Sequence, residues 1–147
     1  MTKAIKKSVE IPASPTRVWD VLTQDRYTRN WYAEFSPGSH AQTDWKEGSK
    51  AIFTDDSNSG NGLVGIVAES RPGEKLSLEY HSMLVNGSED KEMSERVKGT
   101  RESYTLSGDD THTRLDIYCD MDEEYFDSMS EAWDRALQKI KELAVNG

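Results

Sequence analysis

Apolar and polar positions change their period along this chain, and each change marks an element. Ile5, Lys7, Val9 and Ile11 alternate with Lys6, Ser8 and Glu10, the two-residue period of a strand. Pro12 closes that run. Ser14 and Pro15 then predict a helix start, with Ser14 capping orphan amides and Pro15 at a first position whose N–H has no partner to lose. Val18, Trp19 and Leu22 share one side of this short helix, and Asp25 is read as the cap of a second piece running toward Trp31 and Tyr32. From about Gly38 to Cys119 short alternating runs are separated by turn residues, which predicts an antiparallel meander. Its runs are Ala51 to Thr54, Leu63 to Ala68, Leu76 to Tyr80, Ser103 to Leu106, and Arg114 to Cys119. Asp55 to Gly62 reads as a hairpin connection, and the polar stretch from Asn86 to Gly99 as an insertion loop without regular structure.

The last segment has the strongest pattern. Phe126, Met129, Trp133, Leu137, Ile140 and Ala144 recur in steps of three and four, forming one apolar stripe on a helix from about Glu123 to Val145. Asp127, Glu131, Asp134, Arg135, Gln138 and Glu142 occupy the other side. Asp122, Glu123 and Glu124 sit at the dipole-positive start, with Lys139 and Lys141 late. Glu131 and Arg135 are spaced to pair across one turn. The first strand must join the later sheet, since alone it cannot satisfy its backbone groups. The pattern therefore predicts one α+β domain over residues 1–147, a curved antiparallel sheet gripping a long C-terminal helix, with a gap between them as a natural small-molecule cavity.

Composition narrows the functional classes. In 147 residues the formal net charge is −9, which opposes general affinity for nucleic acid or anionic lipid. No apolar run approaches the roughly 20 residues of a membrane span, and the basic start lacks the apolar block of a signal peptide. The lone Cys119 forms no internal disulfide and fits a reducing compartment. These features together predict a cytoplasmic protein that does not insert into membranes.

Several stretches resemble a known family. They are Ile11 to Trp19, the Trp31-Tyr32 helix end, Trp45 to Ser49, Gly65 to Pro72, Asn86-Gly87, Glu102 to Tyr104, and Trp133 with Leu137. Taken together and in this order, the chain is similar to the START-like, or SRPBCC, superfamily, and within it to the group named after the activator of the Hsp90 ATPase (AHSA1-like). The resemblance implies a helix-grip (Bet v 1-like) fold of β-α-α-β-β-β-β-β-β-α order with a hydrophobic cavity. Superfamily members bind lipids, hormones or polyketides, and some are cyclases, aromatases or chaperone cofactors. The family name implies Hsp90 contact only for the eukaryotic co-chaperones, in which this domain follows a separate N-terminal domain.

Candidate chemistry is sparse. His40, His81 and His112 show no metal-ligand spacing, and no metal or other cofactor is predicted. Cys119 shares the inward phase of Leu115 and Ile117 and reads as core. Gly60, Gly62 and Gly65 fit a hairpin and a strand bend rather than a phosphate loop. Glu102 shares a face with Tyr104 and Leu106, so its carboxyl must be paired, hydrogen-bonded or protonated. It would orient a polar ligand head or act as acid or base; the alternative is a strand-end glutamate reaching solvent or a nearby Lys or Arg. The ligand-binding set is Trp31, Phe35, Leu78, Tyr80, Glu102, Tyr104, Phe126, Met129, Trp133 and Leu137, with Trp31, Tyr32 and Phe35 at the rim. The resemblance implies that Phe126, Met129 and Trp133 roof the cavity. The predicted partner is a small hydrophobic or amphipathic molecule, with an Hsp90-type chaperone as second candidate and a cyclase- or hydrolase-like activity as third. The predicted oligomeric state is monomer or weak dimer.

Overall fold

The structure, a computed structural model, describes residues 2–55 and 60–146. The chain runs through β1 (Thr2–Ile11), α1 (Pro15–Thr23), α2 (Asp25–Tyr32), β2 (His40–Gln42), β3 (Lys50–Thr54), β4 (Gly62–Arg71), β5 (Lys75–Val85), β6 (Ser88–Glu89), α3 (Lys91–Val97), β7 (Arg101–Asp109), β8 (His112–Asp122), a 3₁₀ turn at Glu123–Tyr125, and α4 (Phe126–Asn146). The strands form one antiparallel sheet in the order β1-β8-β7-β5-β4-β3-β2, with β6 beside β5. This is the helix-grip arrangement. The first strand closes against the last, Ile5 opposite Cys119 and Val9 opposite Leu115, which satisfies the backbone groups it could not satisfy alone. Part of the hairpin expected between Asp55 and Gly62 lies on residues 56–59, outside the described residues.

The helix starts follow local chemistry. Ser14 Oγ accepts from Arg17 N at 3.2 Å and Pro15 opens α1. Asp25 is not the cap of α2: Gln24 holds that position without a side-chain bond. Asp25 is instead the first helical residue, where its charge favours the dipole and pairs with Arg29 at 2.7 Å.

Curvature has an identifiable source. The β4–β5 register shifts between Val64 and Gly65 and again between Val67 and Glu69, and bulges of this kind bend and twist a strand. Gly65 is required there, because a Cβ would fall 2.4 Å from the Glu79 carbonyl oxygen. On the inner face Val67, Leu76, Leu78, Leu106, Leu115 and Ile117 are buried, against Ile140, Leu137 and Ala136 of α4 and Val18, Val21 and Leu22 of α1.

The stretch from Asn86 to Gly99 departs from the sequence expectation of an unstructured loop. It contains β6 and the short helix α3. Asp90 caps α3 by accepting from Met93 N at 2.9 Å. The buried Ser94 Oγ accepts from Met83 N at 2.9 Å, pinning the helix to β5.

The C-terminal helix also differs in two details. Its first turn is the 3₁₀ segment, capped by Asp122 through Glu124 N at 3.1 Å. Arg135 reaches the Glu34 carbonyl at 3.5 Å rather than Glu131. The positive charge at its far end comes from across the fold. Arg17 of α1 donates to the carbonyls of Ala144 at 3.2 Å and Leu143 at 3.0 Å, and to the Tyr27 hydroxyl at 2.7 Å. These are orphan carbonyls of a helix C-terminus, and a guanidinium there also meets the negative end of the dipole. Lys139 and Lys141 lie outside that last turn. No helix among the described residues is long and apolar enough to cross a membrane.

Candidate functional site

The helix α4 packs mainly on β1, β8, α1 and α2. Over β3, β4 and β5 the sheet curves away from it, and a pocket of about 320 Å³ remains between them. Such a volume is at the lower end of the range for small-molecule sites.

Strand alternation and cross-strand register place the inner groups. Glu102 and Tyr104 stand two residues apart on β7 and therefore share a face. Cys119 of β8 is directly opposite Glu102. The Tyr104 hydroxyl donates to Glu102 Oε2 at 2.5 Å, and Cys119 Sγ donates to Oε1 at 3.7 Å. Tyr80 interacts with the same carboxylate from β5. Burial pushes the Glu102 carboxyl above the ordinary glutamate range, and these three donors pull it partly back. Burial, followed by the charge of Glu102, holds the Tyr32, Tyr80 and Tyr104 hydroxyls protonated well above their usual range. The same two causes push the Cys119 thiol up, which keeps it from being a ready thiolate.

Aromatic rings surround this carboxylate. Trp133 lies 4.9 Å from Phe35 in an edge-to-face contact, and 6.0 Å and 6.2 Å from Tyr104 and Trp31. Phe53 of β3 meets Tyr80 at 5.8 Å and Tyr32 at 6.2 Å. Trp31 spends its indole N–H on the Val21 carbonyl at 2.9 Å. Trp133 Nε1 is buried and meets no oxygen or nitrogen acceptor among the described residues; its neighbour is the Cys119 sulfur, whose thiol it holds down slightly against the larger upward push of burial. At the other end the lining includes Arg96 of α3, which pairs with Asp122 at 2.6 Å and Glu124 at 3.3 Å. Arg96, Asp122 and the 47% exposed Tyr125 mark this end as the mouth.

Of the residues picked from sequence, Trp31, Phe35, Tyr80, Glu102, Tyr104, Met129 and Trp133 line the pocket. Leu78, Phe126 and Leu137 do not. Leu78 is opposite Glu102 on β5 but is sealed in the core. Leu137 lies one helical turn past the pocket, in the packed half of α4. Phe126 sits at the helix start, half-buried under the Lys3 ammonium at 4.9 Å from its ring centre. The rim expectation also changes: Trp31 is 1% exposed and forms an inner wall. The mouth belongs instead to α3, through Met93, Arg96 and Val97, and to the 3₁₀ turn. The loop expected over this segment hides α3, although Asp90 as a cap and Gly99 beyond the last turn are signals for it. Glu102 is not the solvent-facing or Lys- and Arg-paired glutamate of the alternative reading. Its partners are tyrosines and a thiol.

The histidines stay apart from this site. His81 and His112 are exposed, His112 against Glu10, and among the described residues no group of three or more His, Cys, Asp or Glu is placed to hold a metal ion.

A family profile described as "Activator of Hsp90 ATPase homolog 1-like protein" matches residues 12–144. The chain belongs to this AHSA1-like family. No match is found among curated proteins. Solved structures with the same fold include the Aha1 dimer from Colwellia psychrerythraea, at 17% identity and a TM-score of 0.71, covering 95% of this chain and 94% of that one. Protein MLL2253 from Mesorhizobium loti superposes with a TM-score of 0.72 at 16% identity, covering 96% of each chain. DynU16, a protein of the dynemicin biosynthetic locus, matches at 18% identity and a TM-score of 0.70 over 98% of this chain, which spans 48% of DynU16. At such identities the family member shares a fold with these proteins, and its site must be argued from its own residues.

Proposed function

We propose that this AHSA1-like protein binds a small apolar or amphipathic molecule in the pocket between the sheet and α4. The observation that carries the reading is the inner end of that pocket. A mostly apolar, aromatic lining converges on a few polar groups, the arrangement of ligand sites in general. Filling the same space with protein would need only apolar side chains. Here a carboxylate is kept inside at a desolvation cost, and polar groups retained at such a cost mark functional sites more often than structural ones. Met83, Met93, Met121 and Met129 along the lining supply unbranched, polarisable surface able to adapt to a guest.

The test is a fragment screen followed by NMR. Compounds that enter the pocket shift the Trp133 indole, Tyr80 ring and Met129 methyl resonances together. A diverse screen that moves none of them would end this reading.

A second reading, contact with a chaperone, is supported by the family description and by the acidic outer face of α4, where Asp127, Glu131, Asp134 and Glu142 are exposed. An acidic interface binds most strongly at low salt. Absence of association with an Hsp90-type chaperone in low-salt sedimentation would remove it.

A further inference from the structure

We infer that the amphipathic ligand carries a positively charged nitrogen, an organic ammonium seated against Glu102 within the ring of aromatic side chains. This deepens the small-molecule reading above and rests on it.

The charge balance of the pocket carries the argument. Among the described residues, the partners of Glu102 are Tyr104, Tyr80 and Cys119, all neutral hydrogen-bond donors. Neutral donors stabilise the part-buried Glu102 carboxylate but leave its charge uncompensated, and a charge drawn out of water without a counter-charge is costly. The nearest groups from the helices are neutral as well: the Tyr32 hydroxyl from α2 and the indole of Trp133 from α4. Arg96 is the one cationic side chain among the described lining residues, and Asp122 and Glu124 hold it at the mouth. Asp120 and Asp122 add negative charge along the lining. An anionic guest would meet carboxylates from the mouth to the floor, whereas a cationic guest would be drawn inward.

The surroundings fit the same chemistry. The faces and edges of Trp31, Phe53, Tyr80, Tyr104 and Trp133 surround the space beside Glu102. The negative face of an aromatic ring attracts an ammonium, more strongly where water is excluded. Aromatic rings around one uncompensated carboxylate select a cation with apolar substituents over a strongly hydrated one, because the rings replace hydration only poorly for a bare ammonium or metal ion. The ligand class is a tertiary or quaternary amine, or an arylalkyl amine, small enough for about 320 Å³.

The experiment uses a matched pair, benzyltrimethylammonium and neopentylbenzene, which share their shape and differ in charge. Binding is followed at the Trp133 indole and Met129 methyl resonances at low ionic strength. The cation is expected to bind about tenfold more tightly than its neutral isostere near neutral pH. Its binding should pull the Glu102 carboxyl back toward the ordinary range in a carboxyl-carbon NMR titration. In Glu102→Gln the preference should vanish while the neutral isostere still binds. Equal affinities in the wild-type protein would overturn the inference and leave the small-molecule reading standing. Failure of both probes to shift the pocket resonances, or a cation preference undiminished in E102Q, would also overturn it. The wild-type pair and the Glu102 titration decide the question even if E102Q does not fold.

Discussion

At the inner end of the pocket Glu102 has three neutral donors and, among the described residues, no cation; at its mouth Asp122 has Arg96 at 2.6 Å. The two carboxyl groups are on neighbouring strands of one sheet, yet their proton affinities move in opposite directions. Burial raises Glu102, while the Arg96 hydrogen bond, assisted by the Glu124 backbone N–H, lowers Asp122. The difference separates two uses of a charge. At the mouth a guanidinium holds the carboxylates in ion pairs and ties α3 to the end of β8. At the floor no cation among the described residues offsets the carboxylate, so its charge is removed by a proton or, on the proposed reading, offset by a cationic guest.

The contrast between floor and mouth predicts a graded set of responses. Trp133→Ala removes the ring on which the inner aromatic contacts converge, and a loss of about 3–5 kcal/mol is expected from urea unfolding. The matching truncation at the mouth, Tyr125→Ala, should cost no more than about 0.5 kcal/mol. Comparable costs at the two sites would break the contrast. Tyr104→Phe deletes the donor to Glu102 Oε2 and should cost about 1.5–3 kcal/mol, the range for a hydrogen bond to a charged group. It should also push the Glu102 carboxyl further up, read by carboxyl-carbon NMR.

The pH dependence has opposite signs at the two ends. With Glu102 raised, the folded protein holds its proton to higher pH than the unfolded chain does. Its contribution to stability therefore falls as pH rises from the ordinary glutamate range through the raised value. With Asp122 lowered, its contribution is complete above the ordinary aspartate range and is lost as pH falls through the depressed value. Thermal melts of E102Q and Asp122→Asn against the parent should each cancel one of these two slopes. Parallel curves for all three proteins would contradict the assignment. The smallest change is expected for Arg96→Ala, whose effect on stability should fade as added salt screens exposed charges.

Much of this arrangement is legible in the sequence. The stripe on α4 and the inward phase of Leu115, Ile117 and Cys119 depend on periods that a sequence carries openly. The inward position of Glu102 is readable in the same way. Its partners are not, because the pairing of Glu102 with Cys119 and its approach to Tyr80 depend on how β7 sits between β5 and β8. Strand alternation says nothing about that register. Helix α3 escapes for a different reason: seven residues give less than two full turns of periodicity, so only the caps could announce it. The depth of Trp31 and the route of Arg17 to the end of α4 are likewise tertiary, set by residues far away in sequence.

The pairing of the first strand with the last also sets an order in time. Thr2 to Ile11 find their partners at Asp122 to Thr113, and Arg17 reaches carbonyls 126 and 127 positions later. At ribosomal speeds of about 5–20 residues per second, β1 waits about 5–20 s for its neighbour to be made. Throughout that interval its backbone is an open template for any other extended chain. Lys3, Lys6 and Lys7 on this strand are the residues that discourage such pairing. Even in the finished fold β1 remains an outer strand of the sheet, so these lysines guard the nascent chain first and the mature protein afterwards.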